Sequence, residues 1–284
     1  MRTTTLLTLS LLSAGLAAAQ PCLPADVRGA YEFRTWGWQN LGPEHPALPN
    51  TMGPAYGLGV ITLDGAGGGK GQFSATFGGV PQTMEYADFR YTVNNDCGGT
   101  ATYRLKAAGT EAVLGPDTME LQVLDGGARL MGMTTDSPGR GAIVRSEFRR
   151  LSRGSHACQQ SAPRGSYAMQ YEGWINMQML SPSQPAYFAP EIGAGMVVLA
   201  EGGASHGSGV HNWGGMRVAS DLLSIKFSVN EDCTGTFEYV AQIRGTPNKM
   251  SGQWPCVVSA DGAHVTVLAT NPPAFQYYER VPAP

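Results

Sequence analysis

Residues 91–100 read Tyr91-Thr-Val-Asn-Asn-Asp-Cys97-Gly-Gly-Thr100, and residues 227–236 read Phe227-Ser-Val-Asn-Glu-Asp-Cys233-Thr-Gly-Thr236. The second stretch repeats the first at an offset of 136 residues. The same offset carries Cys22 onto Cys158, Arg28-Gly29 onto Arg164-Gly165, Tyr31 onto Tyr167, Gly57 and Gly59 onto Gly193 and Gly195, Tyr103 onto Tyr239, and Asp125-Gly126 onto Asp261-Gly262. The matches share one register with no net gap, so the chain reads as two copies of one unit. At about 130 residues the unit is domain-sized rather than solenoid-sized.

The quoted stretch also fixes what the unit is made of. An alternating run, Phe89, Tyr91 and Val93 against Arg90, Thr92 and Asn94, ends in an Asn-Asn-Asp turn with two glycines. That is a strand with one apolar face, followed by a hairpin. Strand patterns recur near 29–38, 57–64, 70–78, 86–94, 100–107, 118–124, 128–134 and 142–150, with Asp64-Gly65 and Asp125-Gly126 as further hairpin turns. The second copy repeats the order, up to a last strand at about 274–281. In it Leu223, Ile225, Phe227 and Val229 are expected on one face, and Tyr167, Met169 and Tyr171 on the inner face of its first strand. No segment sustains a helical period. The expectation is an all-β chain of two tandem eight-stranded antiparallel up-and-down β-barrels, with a two-sheet sandwich as the alternative.

The chain opens with Arg2, an apolar run from Leu6 to Leu16, and Ala17-Ala18-Ala19 before Gln20. This is the pattern of a secretory signal peptide over 1–19, too short to span a bilayer. The expected layout is then repeat 1 over 20–151, a linker at 152–157 and repeat 2 over 158–284, in an extracellular or periplasmic compartment. No other stretch is long enough for a membrane span. The net charge of −3 includes Arg2, and no basic stripe is present, which argues against nucleic-acid binding. Low charge, 14 % of residues, with 38 Gly and 19 Pro suits short strands and tight turns. There is no N-x-S/T acceptor for N-glycosylation.

The five cysteines are 22, 97, 158, 233 and 256. The symmetric pairing is Cys22 with Cys97 and Cys158 with Cys233, each closing a 75-residue loop worth roughly 4 kcal/mol. Cys256, whose counterpart by offset is Glu120, reads as a buried free thiol or an intermolecular half-bridge. No ligand spacing points to a metal.

Several motifs invite chemistry. Gly203-Ala-Ser205-His-Gly207 matches a nucleophile pattern, but its copy Gly67–Gly71 lacks the serine and both read as hairpin turns. Gly65–Gly71 is glycine-rich without the Ser or Thr of a phosphate loop. Glu32, Glu147, Glu172 and Glu279 fall in strands; alternation sends Glu32 and Glu172 to the wet face. Each repeat has one Pro-rich connection, a lid or a passive loop, and Trp36, Trp38 and Trp174 stand at its start, where a barrel mouth is expected.

His211 stands out because it replaces Ala75 and shares the inner face with Trp213. An imidazole among Trp213, Tyr167 and Tyr171 is a functional candidate; the plain alternative is a core histidine satisfied by a tyrosine hydroxyl or water. The expected site is therefore His211, Tyr167 and Tyr171 as proton-handling or oxygen-polarising groups. Trp213, Phe227, Tyr31, Phe77 and Tyr91 are the expected apolar contacts to a ligand.

The frame Cys-x5-Arg-Gly-x-Tyr, the Gly-x-Gly with its glycine-rich hairpin and the quoted Cys97 stretch resemble a group of small secreted β proteins of unknown function. Strand order and size are similar to the eight-stranded, calycin-like barrels of the allene oxide cyclase and dirigent type. That resemblance implies a lumen holding an apolar substrate and steering a cyclisation or coupling without a cofactor. None of those enzymes' catalytic residues maps onto this chain. Three readings follow: a cofactor-free cyclase or isomerase acting on a hydrophobic small molecule, a lipocalin-like carrier, or a structural secreted protein.

Overall fold

A computed structural model describes residues 21–41, 51–138, 141–152, 163–176, 188–200, 205–247, 249–270 and 273–282. Strands β1 (Gly29–Asn40), β2 (Met52–Leu63), β3 (Gly69–Phe77), β4 (Val80–Val93), β5 (Gly98–Ala107), β6 (Val113–Leu124), β7 (Arg129–Asp136) and β8 (Ile143–Ser152) form one closed barrel in sequence order. Strands β9 (Gly165–Asn176), β10 (Phe188–Leu199), β11 (His206–Trp213), β12 (Met216–Val229), β13 (Thr234–Ile243), β14 (Lys249–Val258), β15 (His264–Thr270) and β16 (Pro273–Arg280) form the second. Every neighbouring pair is antiparallel, and β1–β8 and β16–β9 close the two circles, so neither barrel has a free edge. No described helix is long and apolar enough to cross a membrane. The expected leader over 1–19, residues 42–50 and 177–187 of the Pro-rich connections, and the linker apart from Ser152 lie outside the described residues; Pro54 and Pro190, expected in those connections, belong to β2 and β10.

The duplicated residues build the same end of each barrel. The Tyr31 hydroxyl donates to the carbonyl of Gly127 at 2.7 Å and accepts from Arg150 Nε at 3.0 Å. Tyr167 donates to the carbonyl of Gly262 at 2.6 Å and accepts from Arg280 Nε at 3.3 Å. A fully buried phenol thus ties the first strand to the β6–β7 or β14–β15 turn, and an arginine lies over each ring. Cys22 and Cys97 are joined by a disulfide. Cys233 is disulfide-bonded too; its expected partner, Cys158, lies outside the described residues. Cys97 and Cys233 both adopt left-handed backbone, at φ 66° and 72°, at the same step of the same turn.

Four expectations need correction. The copies do not keep one offset throughout. Arg150 and Arg280 do the same work 130 residues apart, because β14 lacks the irregularity that β6 carries opposite Tyr103–Leu105 and the β15–β16 connection is shorter than β7–β8. Cys256 faces Gly235 as Leu121 faces Gly99, so its counterpart is Leu121 and its place is the core. Burial pushes its thiol up to about 12. A β-bulge between Leu222 and Ser224 turns Leu223 outward and Leu222 inward. The same bulge, between Tyr86 and Asp88, points Tyr86 into barrel 1.

The fourth correction concerns the outer face. Outward residues Tyr56 and Leu58 of β2, with Val60 beside them, pack on Val257, Leu268 and Phe275 of β14–β16. Trp36 meets Phe275 edge-on at 6.2 Å, and Trp38 meets Trp174 at 5.4 Å. These tryptophans belong to the seam between the barrels rather than to a barrel mouth. Glu32 does point outward, but into this seam: it is 3 % exposed and accepts a hydrogen bond from Thr266 at 2.6 Å. Glu172 stays exposed and accepts from Tyr277 at 2.6 Å.

Candidate functional site

The two lumens are lined by equivalent positions and differ in what fills them. Cross-strand pairing sets the equivalence. Ala55 faces Phe77 as Glu191 faces Trp213, Gly57 faces Ala75 as Gly193 faces His211, and Phe73 faces Met84 as Gly209 faces Ser220. In barrel 1 the rings of Phe33, Phe73, Tyr86, Phe89 and Tyr103 interlock at centroid distances of 5.1 to 6.2 Å. They leave a space of about 40 Å³, little more than one water's share of liquid volume. In barrel 2 the matching residues are Met169, Gly209, Leu222, Ile225 and Tyr239, so four aromatic side chains become smaller or vanish. The aromatic bulk moves to one wall, where Phe237, Tyr239 and Trp254 stack. A cavity of about 240 Å³ opens opposite.

Three polar side chains stand in that cavity where barrel 1 has Ala55, Ala75 and Met84: Glu191, His211 and Ser220. Glu191 is 2 % exposed. Its Oε1 accepts a hydrogen bond from Trp213 Nε1 and lies 3.6 Å from His211 Nδ1. On the other side of the ring, His211 Nε2 is 3.4 Å from Ser220 Oγ. Glu191 Oε2 and His211 Nδ1 have no hydrogen-bond partner although both are buried. Tyr171 packs edge-on against the imidazole at 5.3 Å. Burial, and then the charge of Glu191, push Tyr171 far above the ordinary tyrosine value, and the same two causes bring Tyr239 to about 12. Both phenols therefore remain proton donors at any physiological pH. Gly193 makes the arrangement possible, since a Cβ there would fall 2.8 Å from His211 Nδ1.

Of the residues expected from sequence, His211, Tyr171 and Trp213 come together on this cavity. Tyr167 does not line it; its hydroxyl is committed to Gly262 and Arg280. Phe227 packs deeper, on Phe237 at 5.1 Å. In barrel 1, Phe77 lines the small residual space, Tyr31 is bound to Gly127, and Tyr91 accepts a hydrogen bond from Gly65 N–H at 3.0 Å. Sequence reasoning missed Glu191, Ser220 and Gly209. The comparison that singled out His211 against Ala75 finds all three when carried to every inward position. The Gly-x-Ser-x-Gly match leads nowhere: Ser205 is buried and its Oγ accepts from Ala200 N–H, and a strand follows instead of a helix.

No protein-family model, curated protein or solved structure matches the chain. The chain forms two closed eight-stranded antiparallel barrels, and no match supports the expected likeness to allene oxide cyclase and dirigent-type barrels.

Proposed function

We propose that barrel 2 binds a small apolar molecule in its lumen and that barrel 1 serves as its filled, structural twin. The observation carrying this reading is Glu191: a buried carboxylate with one oxygen lacking a hydrogen-bond partner of good geometry, in a cavity of about 240 Å³ where the sister repeat leaves about 40 Å³. A buried polar atom without a partner costs about 1–3 kcal/mol, and a bound donor relieves that cost. At about 240 Å³ the cavity is smaller than a drug-sized pocket; those start near ~300 Å³. A one- or two-ring molecule with an N–H or O–H to offer Glu191 Oε2 fits both requirements. The leader-like start of the chain and the Cys22–Cys97 bridge support action in an oxidising, extracellular or periplasmic setting.

A second reading, a cofactor-free isomerase or cyclase, draws on the line Glu191, His211, Ser220. A ring nitrogen that takes a proton from a bound molecule would place its new charge beside the Glu191 carboxylate, and the same nitrogen can return the proton at another atom. Tyr171, held protonated, can polarise an oxygen of the same molecule. The lumen would supply the fixed orientation such a reaction needs. The carrier reading shares the cavity and omits the turnover.

The binding claim is tested with 5-fluoroindole, which carries one N–H on a bicyclic frame, by ¹⁹F NMR. With about ten heavy atoms at ~0.5 kcal/mol each, a Kd of ~0.2 mM is expected. Gly209→Phe, which restores the ring of Phe73, is expected to abolish binding, and Glu191→Gln to weaken it about tenfold. Equal binding by the wild type and Gly209→Phe would end the lumen reading.

A further inference from the structure

The seam between the barrels is not self-complementary. Barrel 1 contributes the outer face of β2, through Tyr56, Leu58 and Val60, and barrel 2 contributes β14–β16, through Val257, Leu268 and Phe275. The copy of each face lies elsewhere on the same chain and is bare. Tyr56, which pairs with Trp36, becomes Ile192, which pairs with Glu172; Val60 becomes Met196. Ile192 is 63 % exposed and Met196 46 %, with Val198 and Val210 exposed beside them. On barrel 1, Met133 faces Arg145 as Leu268 faces Phe275, and Ile143 stands where Pro273 does. Met133 is 58 % exposed and Ile143 70 %.

We infer that the chain associates head to tail with further copies of itself, the β10 face of one copy seated on the β7–β8 face of the next. The seam already present within the chain is the template. One face is docked once, and its duplicate is left apolar and exposed on barrel 2; the duplicate of the receiving face is left exposed on barrel 1. A heterologous contact of this kind leaves both ends of each new assembly open, so it extends to a ring or a filament rather than stopping at a two-fold dimer. Arg145 in place of Phe275 and Gln122 in place of Val257 make the outer contact more polar than the inner one, which suits a reversible junction. The inference stands independently of the lumen of barrel 2.

Sedimentation velocity on the full mature chain tests it. The weight-average mass of the wild type is expected to rise with concentration past that of a dimer. Ile192→Glu/Met196→Glu and Met133→Glu/Ile143→Glu should each be monomeric, with unchanged circular dichroism and melting temperature, since all four side chains are exposed. Mixed together, the two variants retain one intact face each and should form a 1:1 dimer and nothing larger. A wild type that stays monomeric up to its solubility limit overturns the inference. So does a mixture that stays monomeric while the wild type associates, because the contact would then use other faces.

Discussion

If the lumen of barrel 2 is built for a ligand at the expense of packing, lining it like barrel 1 should stabilise the protein. The perturbation is a five-residue transplant: Glu191→Ala, Gly209→Phe, His211→Ala, Trp213→Phe and Ser220→Met, copying Ala55, Phe73, Ala75, Phe77 and Met84. Two buried atoms without hydrogen-bond partners, Glu191 Oε2 and His211 Nδ1, disappear. Relief of each is worth about 1–3 kcal/mol. The new Phe and Met side chains enter the cavity and bury area worth about 1.5–3 kcal/mol apiece. Against this, a Cβ at Gly209 would meet Met169 Cε at 2.8 Å, so the methionine must turn aside. Overpacking of that kind costs about 1–3 kcal/mol. Trp213→Phe also gives up part of a buried indole, about 2 kcal/mol. The middle of the gains less both costs, the overpacking taken at its high end, leaves about 3 kcal/mol in favour of the transplant, a rise in Tm of ~6 °C or more for a barrel of this size. Calorimetry on wild type and transplant measures it. The single change Glu191→Ala should act in the opposite direction, because it strands the Trp213 indole N–H that Glu191 now accepts. A transplant no more stable than the wild type, or a stabilising Glu191→Ala, would refute the reasoning and make the polar group an ordinary part of the core.

Four further outcomes are expected. Cys22→Ser, which opens the bridge to Cys97, should cost barrel 1 about 2–4 kcal/mol in denaturant unfolding. Tyr31→Phe and Tyr167→Phe should each cost about 1–3 kcal/mol, and by similar amounts, since each strips the same carbonyl and arginine of a partner. Burial raises Glu147, but Arg34 at 2.6 Å and Arg129 at 3.1 Å outweigh it and hold the carboxylate below its unfolded value of 4.5. Its contribution is therefore complete above pH 4.5 and lost as pH falls through the lower folded value. Glu147→Gln should flatten acid unfolding curves in that window. Cys256, buried and with its thiol raised to about 12, should resist iodoacetamide at pH ~8 in the native protein and react once unfolded, as read by mass spectrometry.

How the site escaped a reading of the sequence is instructive at particular residues. His211 is visible because it replaces Ala75 of the first repeat and shares a face with Trp213. Glu191 follows Pro190 at the edge of a connection, and nothing local says whether such a carboxylate looks in or out; only its pairing with Trp213 answers that. Ser220 and Gly209 are unremarkable in a polar, glycine-rich strand until Met84 and Phe73 are laid beside them. Strict alternation points Leu223 inward, and one extra residue in β12 defeats it. Tyr167 had the right face but the wrong depth, because alternation gives the side of a sheet and not the height along a barrel.

The amino-acid sequence by itself determined the duplication, the sixteen-strand order, the hairpin turns and the bridge from Cys22 to Cys97, since each rests on local patterning or on a repeat offset. Only the tertiary structure decided which barrel is hollow, that Glu191 and His211 meet, and that Tyr56 and Glu32 are covered by the other barrel. Those are outcomes of packing between residues far apart in the chain, where one ring absent at Gly209 or one bulge at Leu223 changes what touches what.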